Sequence, residues 1–389
     1  MYFNLSIEQL KQLDAYATAS EINQQPLTWK KTKAQYDNNK QAYHQFVDGY
    51  IDNPNATIIF AGAGSSEFVG NALIGSLKTK VAANMQSIAT TDLLTDVSVC
   101  LNKHTPTLMV SFGRSGNSPE SVGAFLEVQQ YCEDVKHVFI TCNNKGKLAK
   151  LVNEYDNILS IELTEETHDV GFAMTSSFTN MYLMALLLFD TSITQHHIDQ
   201  LNSAVTNFLS SGFKHVNDQL SAFDFNRIVY LGSHVFKGIA QESALKLLEL
   251  TGGECASLFD SFLGFRHGPK SFLDKNTLSV MFLSNIDHVR RYELDLLKEM
   301  SQERNKGKIL VIDTKEDALV KEYDHQLIAL TECEHCPTSV IALGYLVVAQ
   351  SLSLLKSLAL HKTPDNPDPT GSVNRVVKGV TLYIEGDNV

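Results

Sequence analysis

The feature that most constrains this chain is a recurring order of short apolar run, small-residue loop and helix. Thr57-Ile58-Ile59-Phe60 leads into Ala61-Gly62-Ala63-Gly64-Ser65-Ser66 and a helix-like segment. Thr107-Leu108-Met109-Val110 leads into Ser111-Phe112-Gly113-Arg114-Ser115-Gly116-Asn117-Ser118, then a helix from Pro119 to Cys132. His137-Val138-Phe139-Ile140-Thr141 leads into Asn143-Asn144-Lys145-Gly146 and a short helix. After a helical stretch the order begins again, with Arg227-Ile228-Val229-Tyr230-Leu231, Gly232-Ser233-His234 and a long helix from Phe236 to Leu250. Leu278–Leu283 and Lys308–Ile312 supply two more strands. Strands alternating with helices predict an α/β fold whose parallel sheets are covered on both faces. The recurrence predicts a tandem duplication. Ligands on such sheets sit beyond the carboxyl ends of the strands, where these loops lie.

A chain of 389 residues is longer than one ordinary core needs. The expected division is a helical segment over 1–50, a first α/β domain over 51–200 and a second over 201–389. A formal charge of −12, with no long Lys/Arg cluster to offset it, excludes a general nucleic-acid surface. It leaves room for a phosphorylated ligand, because backbone N–H groups at a helix start supply most of what a phosphate needs. The start Met1-Tyr2-Phe3-Asn4-Leu5 lacks the basic and apolar regions of a signal peptide. No uninterrupted apolar stretch of about 18 residues exists, and Met181–Phe189 reads as a buried helix rather than a membrane span. Six scattered cysteines suggest reduced thiols in a cytoplasmic protein. Cys333-Glu334-His335-Cys336 has no second Cys/His pair at zinc-ligand spacing, so it reads as a loop before the apolar helix from Val340. His196 and His197 point about 100° apart on a helix and do not readily share an ion. No metal and no membrane partner are expected.

The loop 111–118 has a direct physical reading. Gly113 and Gly116 allow close backbone approach, while Ser111, Ser115 and Ser118 offer hydroxyls. Arg114 offers either charge or a planar stacking face, and Pro119 suits the first turn of a helix whose positive end faces the loop. By itself the loop is a phosphate cradle or an ordinary Ser/Gly turn with Ser118 as N-cap. Ser65 and Ser66, at the end of a neighbouring strand, favour the cradle. The second half keeps Gly232-Ser233 but not this density of Ser and Gly, so one phosphate site per chain is expected. Glu242, Lys246 and Glu249 fall at i, i+4 and i+7 on one helix face. Taken alone, that pattern is also what a solvated salt-bridge stripe looks like.

Several segments together resemble the sugar isomerase (SIS) family, over roughly residues 20 to 385. Loop 111–118 looks like its phosphate loop. Glu21-Ile22-Asn23-Gln24-Gln25-Pro26 and Val170-Gly171-Phe172-Ala173-Met174-Thr175 are similar to the lead-in segment and substrate-lining loop of glucosamine-6-phosphate synthase. Ala244-Leu245-Lys246-Leu247-Leu248-Glu249, Arg266-His267-Gly268-Pro269 and Asn374-Arg375-Val376-Val377-Lys378 resemble its catalytic helix, histidine loop and lysine-bearing tail. The resemblance implies a tandem pair of SIS domains, each a flavodoxin-like three-layer sandwich. It assigns Glu249 the proton shuttle between C1 and C2, His267 ring opening, and Lys378 and Lys246 further catalytic contacts. Ser65, Ser66, Ser111, Arg114, Ser115, Ser118, Ala173 and Thr175 become the substrate and phosphate contacts. It also implies no cofactor, and a homodimer or larger homo-oligomer in which His267 reaches the site of a neighbouring subunit.

Ser-Phe-Gly-Arg-Ser-Gly-Asn-Ser and Met-Thr-Ser-Ser-Phe-Thr-Asn-Met look closest to the group of galactosamine-6-phosphate deaminase/isomerases, also called tagatose-6-phosphate ketose/aldose isomerases. The synthase has an extra N-terminal glutaminase domain with a terminal cysteine. With Tyr2 after Met1 and no room for that domain, this chain is expected to release ammonia. The expected reaction takes galactosamine 6-phosphate to tagatose 6-phosphate through an open-chain enolamine. A carboxylate whose pKa is raised by partial burial suits such a proton shuttle. An imidazole near neutrality suits ring opening. Competing expectations are isomerisation without deamination, deamination of glucosamine 6-phosphate, and a non-catalytic sugar-phosphate sensor.

Overall fold

The computed structural model describes residues 1–303, 307–323, 325–371, 373–377 and 379–383. Lys378 therefore lies outside the described residues. The chain divides into two compact units. One comprises 1–27, 170–175 and 193–369; the other comprises 28–169, 176–192 and 370–389.

The second of these units holds strands β1 (Thr57–Gly62), β2 (Asn84–Ala89), β3 (Thr107–Gly113), β4 (Val135–Thr141) and β5 (Ile158–Glu162), all parallel, in the order β2-β1-β3-β4-β5. The other unit holds β6 (Arg227–Gly232), β7 (Ala256–Asp260), β8 (Thr277–Phe282), β9 (Lys308–Asp313) and β10 (Gln326–Ala329), also parallel, in the order β10-β9-β8-β6-β7. Counted from its own first strand, each sheet has the same topology, which is the signature of the expected duplication. The sequence runs had marked β1, β3, β4, β6, β8 and β9, which are the six interior strands. They missed β2, β5, β7 and β10, the four edges. A second correction concerns β3. It continues three residues beyond Val110, because Phe112 and Gly113 stay in register with Ile140 and Thr141 of β4. Ser111 is thus a strand residue, and the loop proper begins at Arg114.

Both sheets turn from their first strand into a helix by the same device. A Cβ on Gly62 would lie 2.3 Å from the Ser66 backbone, and one on Gly232 would lie 2.3 Å from the Phe236 carbonyl oxygen. Two residues later the chain takes a positive φ in both copies, 56° at Gly64 and 53° at His234. Glycine adopts that conformation freely, whereas a residue with a Cβ is strained there.

Each unit is built around an apolar helix. The helix Ser176–Phe189 is buried at all of its positions, and Phe189 meets Phe60 of β1 edge-on with ring centroids 5.4 Å apart. In the other unit, helix Thr338–Ala359 is long and apolar enough to cross a membrane, yet 94% of its most apolar window is buried. Its Tyr345 stacks on Phe236 at 4.7 Å and donates to the Leu283 carbonyl at 2.9 Å. It is a core helix.

The N-terminal helix Tyr16–Ile51 contains Pro26. Proline lacks the N–H that would reach the Ile22 carbonyl; the Gln25 side-chain Nε2 donates to that oxygen instead, at 3.1 Å. Asp365 accepts from the backbone N–H groups of Ala17 and Thr18, both at 2.8 Å, and so caps the helix start from a distant part of the chain.

His234→Gly is expected to raise stability by roughly 1 kcal/mol, the relief of backbone strain exceeding the added entropy of the unfolded chain. Thermal or urea melts of the two proteins measure this; a lower midpoint for the glycine protein would show that the turn is unstrained.

Candidate active site

The carboxyl edge of the first sheet carries the residues expected to form the phosphate loop. The strand order reverses between β1 and β3, and a crevice at such a point is where parallel sheets bind ligands. Ser65 and Ser66 open the helix Ser65–Leu77 that follows β1. Ser111 sits opposite Ala61 in the ladder. The Ser65 and Ser111 hydroxyls are buried, with the residues 6% and 1% exposed, and neither has a hydrogen-bond partner among the described residues. A buried hydroxyl left so costs about 1–3 kcal/mol. An oxyanion arriving at this edge recovers that cost.

The other two serines of the loop do something different. Ser118 is the N-cap of helix Pro119–Tyr131, accepting from the Ser121 N–H at 3.2 Å. Ser115 Oγ accepts from the Asn117 N–H at 3.2 Å. Both hydroxyls shape the loop. The neighbouring loop after β4 braces it. Asn143 Nδ2 donates to the Ser115 carbonyl at 2.8 Å, and the N–H groups of Lys147 and Leu148 reach Asn117 Oδ1 and the Gly116 carbonyl, both at 3.0 Å. Gly116 takes a φ of 60°, which a side chain would resist. Arg114 is buried, and its Nη2 donates to the Arg375 carbonyl at 2.8 Å. Thr90, immediately after β2, is fully buried at this same edge, and its Oγ1 has no hydrogen-bond partner among the described residues. Nothing in the sequence points to it, because β2 is a half-exposed edge strand without an apolar run.

The residues expected to handle protons belong to the other unit. Helix Val235–Leu250 carries Glu242, Lys246 and Glu249, and the solvated-stripe alternative does not hold. The Lys246 and Glu242 side chains are 1% and 0% exposed, with Nζ 3.4 Å from Glu242, while Glu249 is 25% exposed and directly bonded to the same Nζ. A buried ammonium therefore sits between two carboxylates, and only Glu249 of the three opens to a ligand. His267 is exposed, on a loop pinned to helix Asp287–Gln302 by Arg266, 2.7 Å from Glu299, and by Lys270, which bonds Glu299 and Glu303. Ala173 and Thr175 are buried in segment 170–175. Glu21 holds that segment by accepting from the Val170 and Gly171 N–H groups, the latter at 3.1 Å, and Gln350 Nε2 donates to the Thr175 carbonyl at 3.4 Å. Among the described residues no group of three or more His, Cys, Asp or Glu side chains is placed to hold a metal ion.

Residues 223–355 match the SIS domain model. The chain is 37% identical to D-galactosamine-6-phosphate deaminase AgaS of Shewanella sp. over 384 residues, covering 97% of this chain and 95% of the relative. The chain belongs to the AgaS family of SIS-domain proteins. A solved structure from Clostridium novyi NT superposes with a TM-score of 0.95 at 40% identity, covering 98% of this chain and 99% of that one. Tagatose-6-phosphate ketose/aldose isomerase from Escherichia coli superposes at 0.87 and 36% identity, covering 94% and 96%.

The second sheet of this AgaS-family chain has the same kind of crevice, between β6 and β8, and fills it from within. Glu293 is fully buried there and accepts from the Ser284 N–H at 2.7 Å. Burial, opposed by bonds from Ser284 and Ser233 and by the charge of Arg290, raises its carboxyl to about 7. Beside it Arg290 forms a buried two-pronged pair with Asp313, at 3.0 and 2.6 Å, and reaches Asp317 at 3.1 Å. A fixed carboxylate already occupies the place that unpartnered hydroxyls leave open in the first sheet.

Because the folded state holds the Glu293 proton more tightly than the unfolded chain does, the group's contribution to stability is complete below about pH 4.5. It is lost as the pH rises toward about 7, a change on the order of 3 kcal/mol. Glu293→Gln is expected to flatten stability across that interval and to gain on the parent most above pH 7. Urea midpoints from pH 4.5 to 8 that run parallel for both proteins would contradict this.

Proposed function

We propose that the chain is a galactosamine-6-phosphate deaminase, the activity its AgaS relatives are named for, and that it also performs the aldose–ketose isomerisation. The observation that carries the reading is the division of labour around Lys246. The buried ammonium faces one enclosed carboxylate, Glu242, and one accessible carboxylate, Glu249. A single carboxylate opening to the ligand is what a proton transfer on one face of an open-chain sugar requires.

In this reading the phosphate docks at the carboxyl edge of the first sheet, on the hydroxyls of Ser65, Ser66 and Ser111 and the backbone N–H groups of the loop shaped by Ser115 and Ser118. The positive end of helix Pro119–Tyr131 adds to its attraction. Ala173 and Thr175 line the sugar. His267 moves the proton that opens the pyranose ring. Glu249 then takes the proton from C2 of the 2-amino aldose and returns it to C1. This converts the C1 aldehyde to a hydroxymethyl group and the C2 amine to an imine. Lys246, bonded to Glu249, holds its carboxyl group in place, and Lys378 contacts the substrate oxygens. Water adds to the C2 imine and ammonia leaves, giving tagatose 6-phosphate. One water is consumed, one ammonia is released, and no oxidant or metal enters the balance.

A second reading, isomerisation without loss of nitrogen, is favoured by the name of the Escherichia coli structure. Ammonia and ketose phosphate measured from galactosamine 6-phosphate, glucosamine 6-phosphate and tagatose 6-phosphate separate the two. Stoichiometric ammonia from the galacto substrate is expected; interconversion of phosphosugars without ammonia would favour the isomerase. Binding without turnover of any of them would favour a sensor.

Glu249→Gln is expected to lower kcat by about 10²–10⁴-fold while inorganic phosphate still inhibits as before. Near-normal turnover would remove Glu249 from the mechanism. The exposed, pinned His267 fits a role in a neighbouring subunit's site, within a cytoplasmic homodimer or larger homo-oligomer. Mixing inactive Glu249→Gln and His267→Ala chains under subunit exchange should restore part of the activity. No recovery, with exchange verified by mass, would place His267 in its own subunit's site.

A further inference from the structure

Arg114 is the one cationic side chain in the serine-rich loop, and a phosphate ligand is the obvious role for it. Its geometry points elsewhere. The residue is 7% exposed, and its Nη2 donates to the backbone carbonyl of Arg375, 261 positions further along the chain. Arg375 makes the reciprocal move, its own guanidinium donating to the backbone carbonyl of Asp169. Asp169 is itself fixed, because its carboxylate caps helix Ser176–Phe189 through the Ser176 and Ser177 N–H groups at 3.2 and 2.8 Å. Two guanidiniums thus clasp the C-terminal segment to the carboxyl edge of the first sheet through peptide carbonyls. Such bonds are insensitive to the identity of the residues clasped, and charge on the donor strengthens them.

A further anchor lies beyond the clasp. Helix Pro119–Tyr131 has a glycine at 123 where a Cβ would approach Leu94 Cδ1 to 2.7 Å and Leu382 Cδ2 to 3.1 Å, so the missing side chain makes room for both leucines and lets Leu382 pack against the helix. The segment from Arg375 to Leu382 is therefore tied at both ends to the element that begins with the phosphate loop. Lys378 falls between the two ties in sequence.

We infer that Arg114 is a positioning residue, acting on the reaction by holding the C-terminal segment against the phosphate loop rather than by binding the phosphate. The effect on turnover rests on the function proposed above; the clasp does not.

The test uses the full-length protein and two separate readouts. Arg114→Ala should expose the segment, so that trypsin cleaves after Arg375 and Lys378 at least about tenfold faster than in the parent, followed by intact mass. Leu382→Ser, which leaves the loop and both arginines untouched, should accelerate the same cleavages, and it covers the case in which Arg114→Ala fails to fold. In the deaminase assay Arg114→Ala should lose about tenfold or more in kcat, while KM and the inhibition constant of inorganic phosphate stay within about threefold. Arg114→Lys keeps the charge but not the planar fork, and should recover only part of kcat. Loss of phosphate inhibition in step with activity would make Arg114 a phosphate ligand and overturn the inference. Unchanged cleavage after Arg375 in both Arg114→Ala and Leu382→Ser would overturn the clasp itself. Faster cleavage in a protein that shows no deaminase activity would uphold the clasp and count against the proposed function alone.

Discussion

Everything at the candidate phosphate site depends on one steric constraint, the absence of a side chain at Gly62. The turn from β1 into the Ser65–Leu77 helix is so tight that a Cβ would fall 2.3 Å from the Ser66 backbone. That closeness brings the helix start, the positive end of its dipole, directly over the crevice between β1 and β3. A looser turn would carry Ser65 and Ser66 away from Ser111. The helix also lies hard on the sheet, since a Cβ on Gly70 would meet the Phe60 side chain at 2.8 Å and Ser87 Oγ at 2.5 Å. The rigid floor of the site comes from small residues at places where backbone meets backbone.

The second sheet furnishes the same scaffold differently. Gly232 repeats the tight turn, and His234 repeats the positive φ. The crevice is then plugged by Glu293, with the Arg290–Asp313 pair beside it. Removing charges from water is costly, and such a pair is held by exact geometry and extra hydrogen bonds rather than by attraction alone. Duplication thus gave two equal frameworks, and side chains arriving from the following helices decided which one stayed open. In the first copy the Ser65 and Ser111 hydroxyls have no partner among the described residues; in the second the buried Glu293 carboxylate lies at the strand ends and accepts from the Ser284 N–H.

The same electrostatic logic governs helix Val235–Leu250. Lys246 is withdrawn from solvent and leans on two carboxylates that differ in exposure. Removing Lys246 would take away the counter-charge 3.4 Å from the buried Glu242 carboxylate, and breaking a buried pair costs on the order of 3–5 kcal/mol. The ammonium therefore fixes the orientation of the partly exposed Glu249 while neutralising the enclosed Glu242.

Period and composition alone were enough to reveal the α/β class, the tandem repeat and the six interior strands. An interior strand of a parallel sheet is buried on both faces and must be continuously apolar, so it announces itself. The edges, such as Asn84–Ala89 and Ala256–Asp260, are half exposed and carry no such run, and Thr90 went unseen with them. The i, i+4, i+7 spacing placed Glu242, Lys246 and Glu249 on one face, but a stripe in solvent and a buried triad share that spacing. Only packing against the rest of the unit withdrew Lys246 from water. Likewise Ser111, Ser115 and Ser118 are equivalent in the sequence. Tertiary structure made two of them loop braces and left Ser111 open, because a hydroxyl's role is set by which N–H groups come within reach. Arg114 is the sharpest case. Its charge was legible from the start, but its partner lies 261 residues away, and a contact of that separation is decided by the fold.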